Sequence, residues 1–253
     1  MNAPLTGFAA FIRQSTLGDA LVPKPPRDND PFRGLSDQNL LRAYRKLAER
    51  MRVPIDYSTA RKLIFTAIDN IGGQVECAYT GRIYKSMGVP DADDINIEHV
   101  WPQSKGAKGL AKSDLHHLFP TDNETNSKRG NLPFGVVTKA RWSKGGSILG
   151  KDKDGQDCFM PREEVRGNVA RAMFHFATVY GFRIEAKEEA ILRAWAKADP
   201  VDATELDRMD RIVGVQRSSN HYVRTPELLD RVDTFDRVPN APGRVIGFAP
   251  RRS

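Results

Sequence analysis

Two short segments of this chain hold side chains that could hydrolyse a phosphodiester. The first, NIEHVWPQS at residues 96–104, places the carboxylate of Glu98 directly before the imidazole of His99. The second, at residues 123–126, ends in the amide of Asn126. A neutral imidazole can activate water near pH 7, and carboxylate and amide oxygens can hold a hard cation that neutralises a phosphoryl group. These residue types therefore predict metal-assisted attack of water on a phosphate ester.

The surrounding segments predict the elements that must position these residues. In chain order we expect a short strand at 95–97, an exposed loop at 103–113, a second strand at 115–119, and a short helix capped by Asp122 or Asn123 that runs to Lys128. Adjacent residues of a regular strand face opposite sides of the sheet. Glu98 and His99 can therefore act on the same phosphate group only if the strand ends or twists at these two residues. The proline at position 102 favours an early end of the strand.

Three further polar residues lie close to these segments. Because His116 and His117 are neighbours on the second predicted strand, one of them should face the core. For both we expect a structural role, or one that orients His99, in preference to direct metal ligation. Asn131 is the alternative to Asn126 as an amide ligand, since Asn126 could instead serve as a helix or turn cap.

Positive charge is concentrated around the same segments. The chain of 253 residues has a net charge of +7, and residues 101–150 hold eight cationic against three acidic side chains, a net charge of +5. A basic surface of this kind fits a polyanion such as nucleic acid, although a solvated surface gives the same totals. The candidates for phosphate contact are Lys105, Lys108, Lys112, Lys128 and Arg129.

The rest of the chain predicts a largely helical body. We expect helices near residues 37–52, 58–70, 161–180, 187–198 and 203–216, and a hairpin at 151–157 around an Asp-Gly turn. The same turn is excluded as a calcium loop, because its glycine stands at the fourth loop position and not at the sixth. Cys77 and Cys158 fit no metal-binding spacing and are expected to be buried free thiols.

Nothing in the sequence predicts a membrane partner or an export signal. No run approaches the roughly 18 apolar residues of a membrane span. The first residues have no basic segment, and their apolar stretch is too short for the core of a signal peptide. The sequence therefore predicts a reduced, cytoplasmic protein.

Several motifs in the same order resemble the endonuclease I family of ββα-metal, or His-Me finger, nucleases. The resemblance extends from about Tyr57 to Glu227. The segments that carry it are NIEHVWPQS at 96–104, SDLHHLFP at 113–120, NSKRGNLPFG at 126–135, GNVARAMFHFATVY at 167–180, and the later pattern of Trp195, Asp199-Pro200, Glu205 and Arg208.

The resemblance implies a catalytic role for each of the three residues introduced above, Glu98, His99 and Asn126. His99 would be the general base, Glu98 a metal ligand, and Asn126 the second ligand, on the helix of the ββα unit. One Mg²⁺ ion per site would be the cofactor, and DNA, with RNA as a second class, would be cleaved to 5′-phosphate products. Members usually place an arginine near the scissile phosphate, whereas the corresponding loop here holds only the lysines Lys105, Lys108 and Lys112.

The expected fold class is α+β, a largely helical mixed body around a small ββα-metal unit. We expect an N-terminal arm and helix at 1–55, a nuclease domain at 56–230 and a basic tail at 231–253. The arm is a candidate binding segment for an inhibitor or another protein partner.

Two rival hypotheses remain at this point. One is a DNA-binding module of the same fold with weak or no catalysis. The other is a zinc hydrolase that uses His99, His116 and His117, although oxygen ligands favour a harder cation than zinc.

Overall fold

A computed structural model describes residues 30–238, and by its contacts the chain divides into two compact units, residues 1–33 and 34–253. Of the first unit only residues 30–33 are described, so the predicted binding arm lies almost entirely outside the described residues. The predicted basic tail is described only as far as Val238. The predicted boundary near residue 55 stays a prediction. All elements below belong to the second unit.

Helices account for 48% of the described structure, the larger share of its regular elements. The α-helices of the described part are α1 Asp37–Met51, α2 Tyr57–Leu63, α3 Asn123–Arg129, α4 Arg166–Tyr180, α5 Ala186–Ala198, α6 Ala203–Gln216 and α7 His221–Arg224. One π-helical turn, Ile64–Ile68, continues α2. Short 3₁₀ turns lie at Gln103–Lys105, Gly109–Ser113, Leu115–His117, Glu163–Val165 and Pro226–Arg231. Among the described residues no helix combines the length and the apolar character that crossing a bilayer requires.

The strands form three small antiparallel sheets. They are β1 Asn70–Ile71, β2 Gln74–Glu76, β3 Ile83–Lys85, β4 Ile95–His99, β5 Leu118–Asp122, β6 Lys139–Lys144, β7 Ser147–Lys151 and β8 Asp157–Met160. The sheets are β1–β2–β3, β4–β5 and β6–β7–β8. The predicted hairpin corresponds to β7 and β8. The α+β fold class is confirmed.

Acidic residues begin three of these helices. The side chain of Asp56 accepts a hydrogen bond from Thr59 N, that of Asp122 from Thr125 N, and that of Asp202 from Glu205 N. Each carboxylate satisfies a backbone N–H that has no partner within the helix, and its charge complements the helix dipole. The cap at Asp122 fixes the start of α3 at the last residue of β5.

Apolar residues anchor β4 and β5 from one side. Ile95 and Ile97 of β4 are buried in a cluster with Leu115 and Leu118. The other members of that cluster come from α2 with its π turn, from β2, and from α6: Ala60, Ile64, Phe65, Ile68, Val75, Cys77 and Ile212. This packing fixes the strand that ends in Glu98 and His99. The free thiols Cys77 and Cys158 are both buried, which confirms that expectation.

Helix α4 is the central helix of the body, and nearly all of its residues are buried. The ring of Phe176 stacks on Trp101, with ring centroids 5.0 Å apart. Helix α1 packs against the same helix, where the Tyr44 hydroxyl lies 2.7 Å from His175 Nδ1. Helix α4 therefore joins the N-terminal helix to the segment that follows His99.

The prediction of a second strand at residues 115–119 was partly wrong. Leu115–His117 is a 3₁₀ turn, and the strand starts only at Leu118. Asp114 causes the difference, because its side chain accepts a hydrogen bond from His116 N and so caps the turn. Both His116 and His117 are buried, whereas only one of them was expected to face the core.

Candidate active site

Glu98 and His99 are the last two residues of β4, so the strand ends where the chemistry requires it. Within the antiparallel pair, Glu98 lies opposite Phe119 and His99 opposite Leu118. Helix α3 starts directly after β5, and Asn126 on its first turn donates from Nδ2 to the carbonyl of Ile97 at 3.1 Å. The helix thus brings Asn126 to the backbone of the residue that precedes Glu98.

The carboxylate of Glu98 is buried and anchored on one oxygen. The Tyr79 hydroxyl donates to its Oε1 at 2.9 Å, and Arg129 Nε lies 3.2 Å from the same atom. The side chain is only 2% exposed. Burial raises the pKa of the Glu98 carboxyl to about 7, although Arg129 and Tyr79 both act to lower it. A cation beside this group would favour its charged form.

Two oxygen atoms at this place have no protein partner among the described residues. Both contacts of Glu98 go to Oε1, which leaves Oε2 uncommitted. Asn126 uses its amide nitrogen on Ile97, which leaves Oδ1 uncommitted. A carboxylate and an amide oxygen form the donor set of a hard cation such as Mg²⁺. The residues present therefore fit the expected metal.

The imidazole of His99 is held by the loop that precedes β5. Its Nε2 lies 3.1 Å from the carbonyl oxygen of Lys112. A carbonyl can only accept, so Nε2 carries the proton and Nδ1 carries the lone pair. Burial lowers the pKa of His99 to about 4, which keeps the ring neutral at pH 7.

Three residues that contact Glu98 or His99, namely Tyr57, Gln103 and Tyr79, were not identified as site residues from the sequence. The Tyr57 ring lies 5.4 Å from the His99 ring, and the Lys112 ammonium lies 4.4 Å from the centre of Tyr57. Gln103 Nε2 lies 3.4 Å from His99 Nδ1. Tyr79 reaches Glu98 from a segment about twenty residues earlier. Only Gln103 carried a sequence signal, because it belongs to the same motif as His99.

The five basic candidates occupy three kinds of position. Lys108 and Lys128 are exposed, and Lys105 and Lys112 are half-buried. Arg129 differs from the expectation of a surface contact. It is buried, and its guanidinium also donates to the carbonyls of Val100 at 2.7 Å and Gly130 at 2.8 Å. The structure therefore places Arg129 as the internal partner of Glu98.

His116 and His117 are fully enclosed, and each uses Nε2 on a backbone carbonyl. His116 Nε2 lies 2.9 Å from Ser218 O, and His117 Nε2 lies 2.7 Å from Ala111 O. The His117 ring also contacts His99 edge-on, with ring centroids 5.5 Å apart. Both can support the loop around His99, and neither lies open to a substrate.

Asp114, His116 and His175 form a second group of potential metal ligands, with their ligand atoms all within 4.8 Å of one another. All three are at most 4% exposed. The carboxylate oxygens of Asp114 already accept hydrogen bonds from Tyr180 at 2.6 Å and Gln216 at 2.8 Å. A catalytic metal needs a coordination position open to substrate. This enclosed group does not provide one, so Glu98 and Asn126 remain the better place for a catalytic cation.

Comparison with known proteins identifies similar chains. The family model described as Endonuclease I matches residues 55–227. An extracellular ribonuclease of Bacillus amyloliquefaciens is 34% identical over 173 residues, covering 58% of this chain and 57% of the relative. An extracellular deoxyribonuclease of Aeromonas hydrophila is 30% identical over 156 residues, covering 52% and 66%. A periplasmic deoxyribonuclease of the same organism is 31% identical over 153 residues, covering 51% and 62%.

Two facts follow from these matches. The chain spans 57% of the length of the Bacillus ribonuclease, which is less than two thirds of that protein. The expectation of a cytoplasmic protein is wrong, because the relatives are named as extracellular and periplasmic proteins and so point to secretion. The sequence argument for the cytoplasm depended on the absence of a signal, and such an absence carries little weight.

Proposed function

Because this chain belongs to the endonuclease I family, we propose that it is a Mg²⁺-dependent, sequence-nonspecific endonuclease that hydrolyses DNA, and RNA as a second substrate class. In this proposal His99 activates the attacking water, and Glu98 and Asn126 hold the metal. The relatives are named as ribonucleases and as deoxyribonucleases, which supports both substrate classes.

One observation carries the proposal, namely the hydrogen bond of 3.1 Å between His99 Nε2 and the carbonyl of Lys112. It commits the proton of the neutral ring to Nε2 and leaves Nδ1 as the basic atom. His116 and His117 also place Nε2 on a backbone carbonyl, but of the three histidines only His99 directly follows the carboxylate of Glu98 at the end of β4. Here Nδ1 has only Gln103, at a distance of 3.4 Å, so a water can compete for that position.

The reaction then follows from the tautomer. The oxygen of a water attacks the phosphorus atom while its proton moves to His99 Nδ1. The bond between phosphorus and the 3′ oxygen breaks, and the departing 3′ oxyanion takes a proton from solvent, which leaves a 5′-phosphate and a 3′-hydroxyl. His99 remains bound to Lys112 throughout and can later release its added proton to solvent. General bases of this kind contribute about 10²–10⁴-fold to a rate.

Glu98 and Asn126 would hold the metal, since each has an oxygen, Oε2 and Oδ1 respectively, that no described protein group occupies. When bound, Mg²⁺ neutralises charge on the phosphoryl group and stabilises the departing oxygen. Arg129 and Tyr79 hold Glu98 from the opposite oxygen, so the carboxylate is oriented before the metal arrives. Asn126 is oriented in the same way by the carbonyl of Ile97.

Lysines near His99 would hold the substrate by its phosphates. Lys108 and Lys128 are exposed, and Lys112 lies next to the Tyr57 ring that covers His99. Contacts of this kind neutralise charge without reading bases, so binding should depend on salt and not on sequence.

A plasmid-nicking assay tests the proposal. The purified protein is incubated with supercoiled DNA in Mg²⁺, in Zn²⁺ or in EDTA, and the ends of the products are labelled. We expect nicking in Mg²⁺, none in EDTA, and 5′-phosphate ends. Binding without nicking would indicate an inactive DNA-binding module. Activity in Zn²⁺ alone would support the zinc hydrolase in place of this proposal.

A further inference from the structure

Arg52 is a charged residue buried at the end of α1, three residues before the segment that the family model matches. Its side chain is only 8% exposed. The guanidinium donates to the carbonyl of Leu110 and to the hydroxyl of Tyr180, and it lies 3.8 Å from Asp114 Oδ2. Burying a guanidinium is costly unless its donors find partners, so these contacts define the place of Arg52.

The carbonyl that Arg52 binds belongs to the turn that holds His99. Within Gly109–Ser113, three consecutive carbonyls accept hydrogen bonds from three side chains. Leu110 O accepts from Arg52, Ala111 O from His117 at 2.7 Å, and Lys112 O from His99 at 3.1 Å. Fixing the first carbonyl therefore restricts where the third can lie.

The loop is held at other points as well, since Trp101 Nε1 donates to Lys105 O at 3.0 Å and Ala107 and Ala111 are buried. It contains Gly106 and Gly109, both with positive φ, and it forms only short 3₁₀ turns. The Leu110 side chain is 56% exposed, so its burial contributes little to holding this end of the turn. Such a segment depends on bonds from neighbouring elements for its conformation. Arg52 supplies one of these bonds from a helix outside the matched family segment.

We propose that Arg52 is a positioning residue for catalysis, which fixes the turn so that the Lys112 carbonyl holds His99 with Nδ1 directed to the attacking water. This inference depends on the proposed function of His99. Without Arg52 the turn would move, the bond from His99 Nε2 to Lys112 would be lost in part of the molecules, and the ring would sample unproductive orientations. A displacement of about 1 Å at a reacting group can cost on the order of a hundredfold in rate.

The test compares two Arg52 variants with a matched control. Arg52→Met keeps the length of the side chain and removes every donor, whereas Arg52→Lys keeps the charge and a donor. The control is Arg45→Met, because Arg45 is also a buried arginine of α1 but donates to Thr178 O, on α4, at 3.0 Å. For each variant, kcat and KM are measured with a labelled DNA duplex, at a temperature at which that protein variant is folded.

We expect Arg52→Met to lower kcat by about ten-fold or more, with KM within about two-fold of the wild type. Arg52→Lys should recover part of the loss, and Arg45→Met should keep the kcat of the wild type. Long-range ¹H–¹⁵N spectra give a second readout, since the chain has only five histidines. His99 should be a single Nε2–H tautomer in the wild type and a mixture in Arg52→Met.

Unchanged kcat in Arg52→Met would overturn the inference. So would equal losses in Arg52→Met and Arg45→Met, because they would indicate a general packing defect. If Arg52→Met does not fold, Arg52→Lys takes its place. An unchanged kcat in Arg52→Lys, together with a single Nε2–H tautomer of His99, would then overturn the inference. Failure of the proposed function looks different, because the wild type itself would then show no metal-dependent cleavage.

Discussion

Arg129 Nε lies 3.2 Å from Glu98 Oε1, and the two side chains are 1% and 2% exposed. An isolated buried charge is strongly unfavourable, so the guanidinium is what permits a carboxylate at this depth. The ion-pair distance to Arg129 and the Tyr79 hydrogen bond are both at Oε1, and no hydrogen bond from a described residue reaches Oε2, so Oε2 can still bind a cation. Arg129, in the motif after Asn126, is therefore the buried partner of the proposed metal ligand Glu98, which differs from the expected contact with substrate.

The role of His99 can be tested by its removal. His99→Ala should lower the rate of nicking by about 10²–10⁴-fold, because only the proton-accepting step is lost. DNA binding should change little, whereas the melting temperature should fall by the amount that losing a buried ring and its bond to Lys112 O costs. The nicking rate, the affinity for DNA in a binding assay without metal, and a thermal melt measure these three quantities. A variant that cleaves within a few-fold of the wild type would refute the role as base.

The metal ligands can be separated by Mg²⁺ titration. Glu98→Gln and Asn126→Ala should each raise the Mg²⁺ concentration for half-maximal activity by about ten-fold or more, since residues that merely support metal ligands already contribute 10–100-fold to affinity. Asn131→Ala is the matched control. Asn131 is exposed, and its amide lies 3.4 Å from Ser104 Oγ. If Asn131→Ala shifts the titration and Asn126→Ala does not, the amide ligand has been assigned to the wrong residue.

The lysine loop can be tested by the salt dependence of binding. Replacing Lys105, Lys108 and Lys112 together by Ala should weaken binding to unrelated duplexes equally. It should also reduce the slope of log affinity against log salt by roughly 0.9 for each lost phosphate contact. The exposed residues Lys46, Arg50 and Lys197 form a control set with the same change in net charge. An unchanged slope would mean that the DNA lies elsewhere, and a loss confined to one duplex would mean that the protein reads bases.

Local signals in the sequence predicted the catalytic unit well. The acidic cap at Asp122 and the apolar pattern of β4 depend on neighbours along the chain, and both elements lie where they were expected. The turn at Leu115–His117 was missed although its cap, Asp114, stands directly before it; His116 of this turn also binds a carbonyl that is distant in sequence, that of Ser218. The sequence could not show that partnership.

Burial of charge was the second limit of prediction. From composition alone, Arg129 and Lys128 are neighbouring cations of equal standing. The first is buried against Glu98 and the second is exposed, a difference that arises only when α3 packs on β4. Arg52 was missed for the same reason, since its partners Leu110 and Tyr180 come from two other elements.

Acid should destabilise the protein through its enclosed histidines. Burial lowers the pKa of both His116 and His117 to about 3, whereas an unfolded histidine titrates near 6.5. Between these pH values the unfolded chain binds more protons than the native one, so the free energy of unfolding falls as pH falls from about 6.5 toward 3. The slope can reach about 1.4 kcal/mol per pH unit for each such histidine.

His117→Asn should reduce that slope, measured by urea unfolding at a series of pH values. The control Leu228→Ala removes a buried side chain that does not titrate, so it should lower stability by the same amount at every pH. If His117→Asn leaves the slope unchanged, the acid sensitivity arises from other groups.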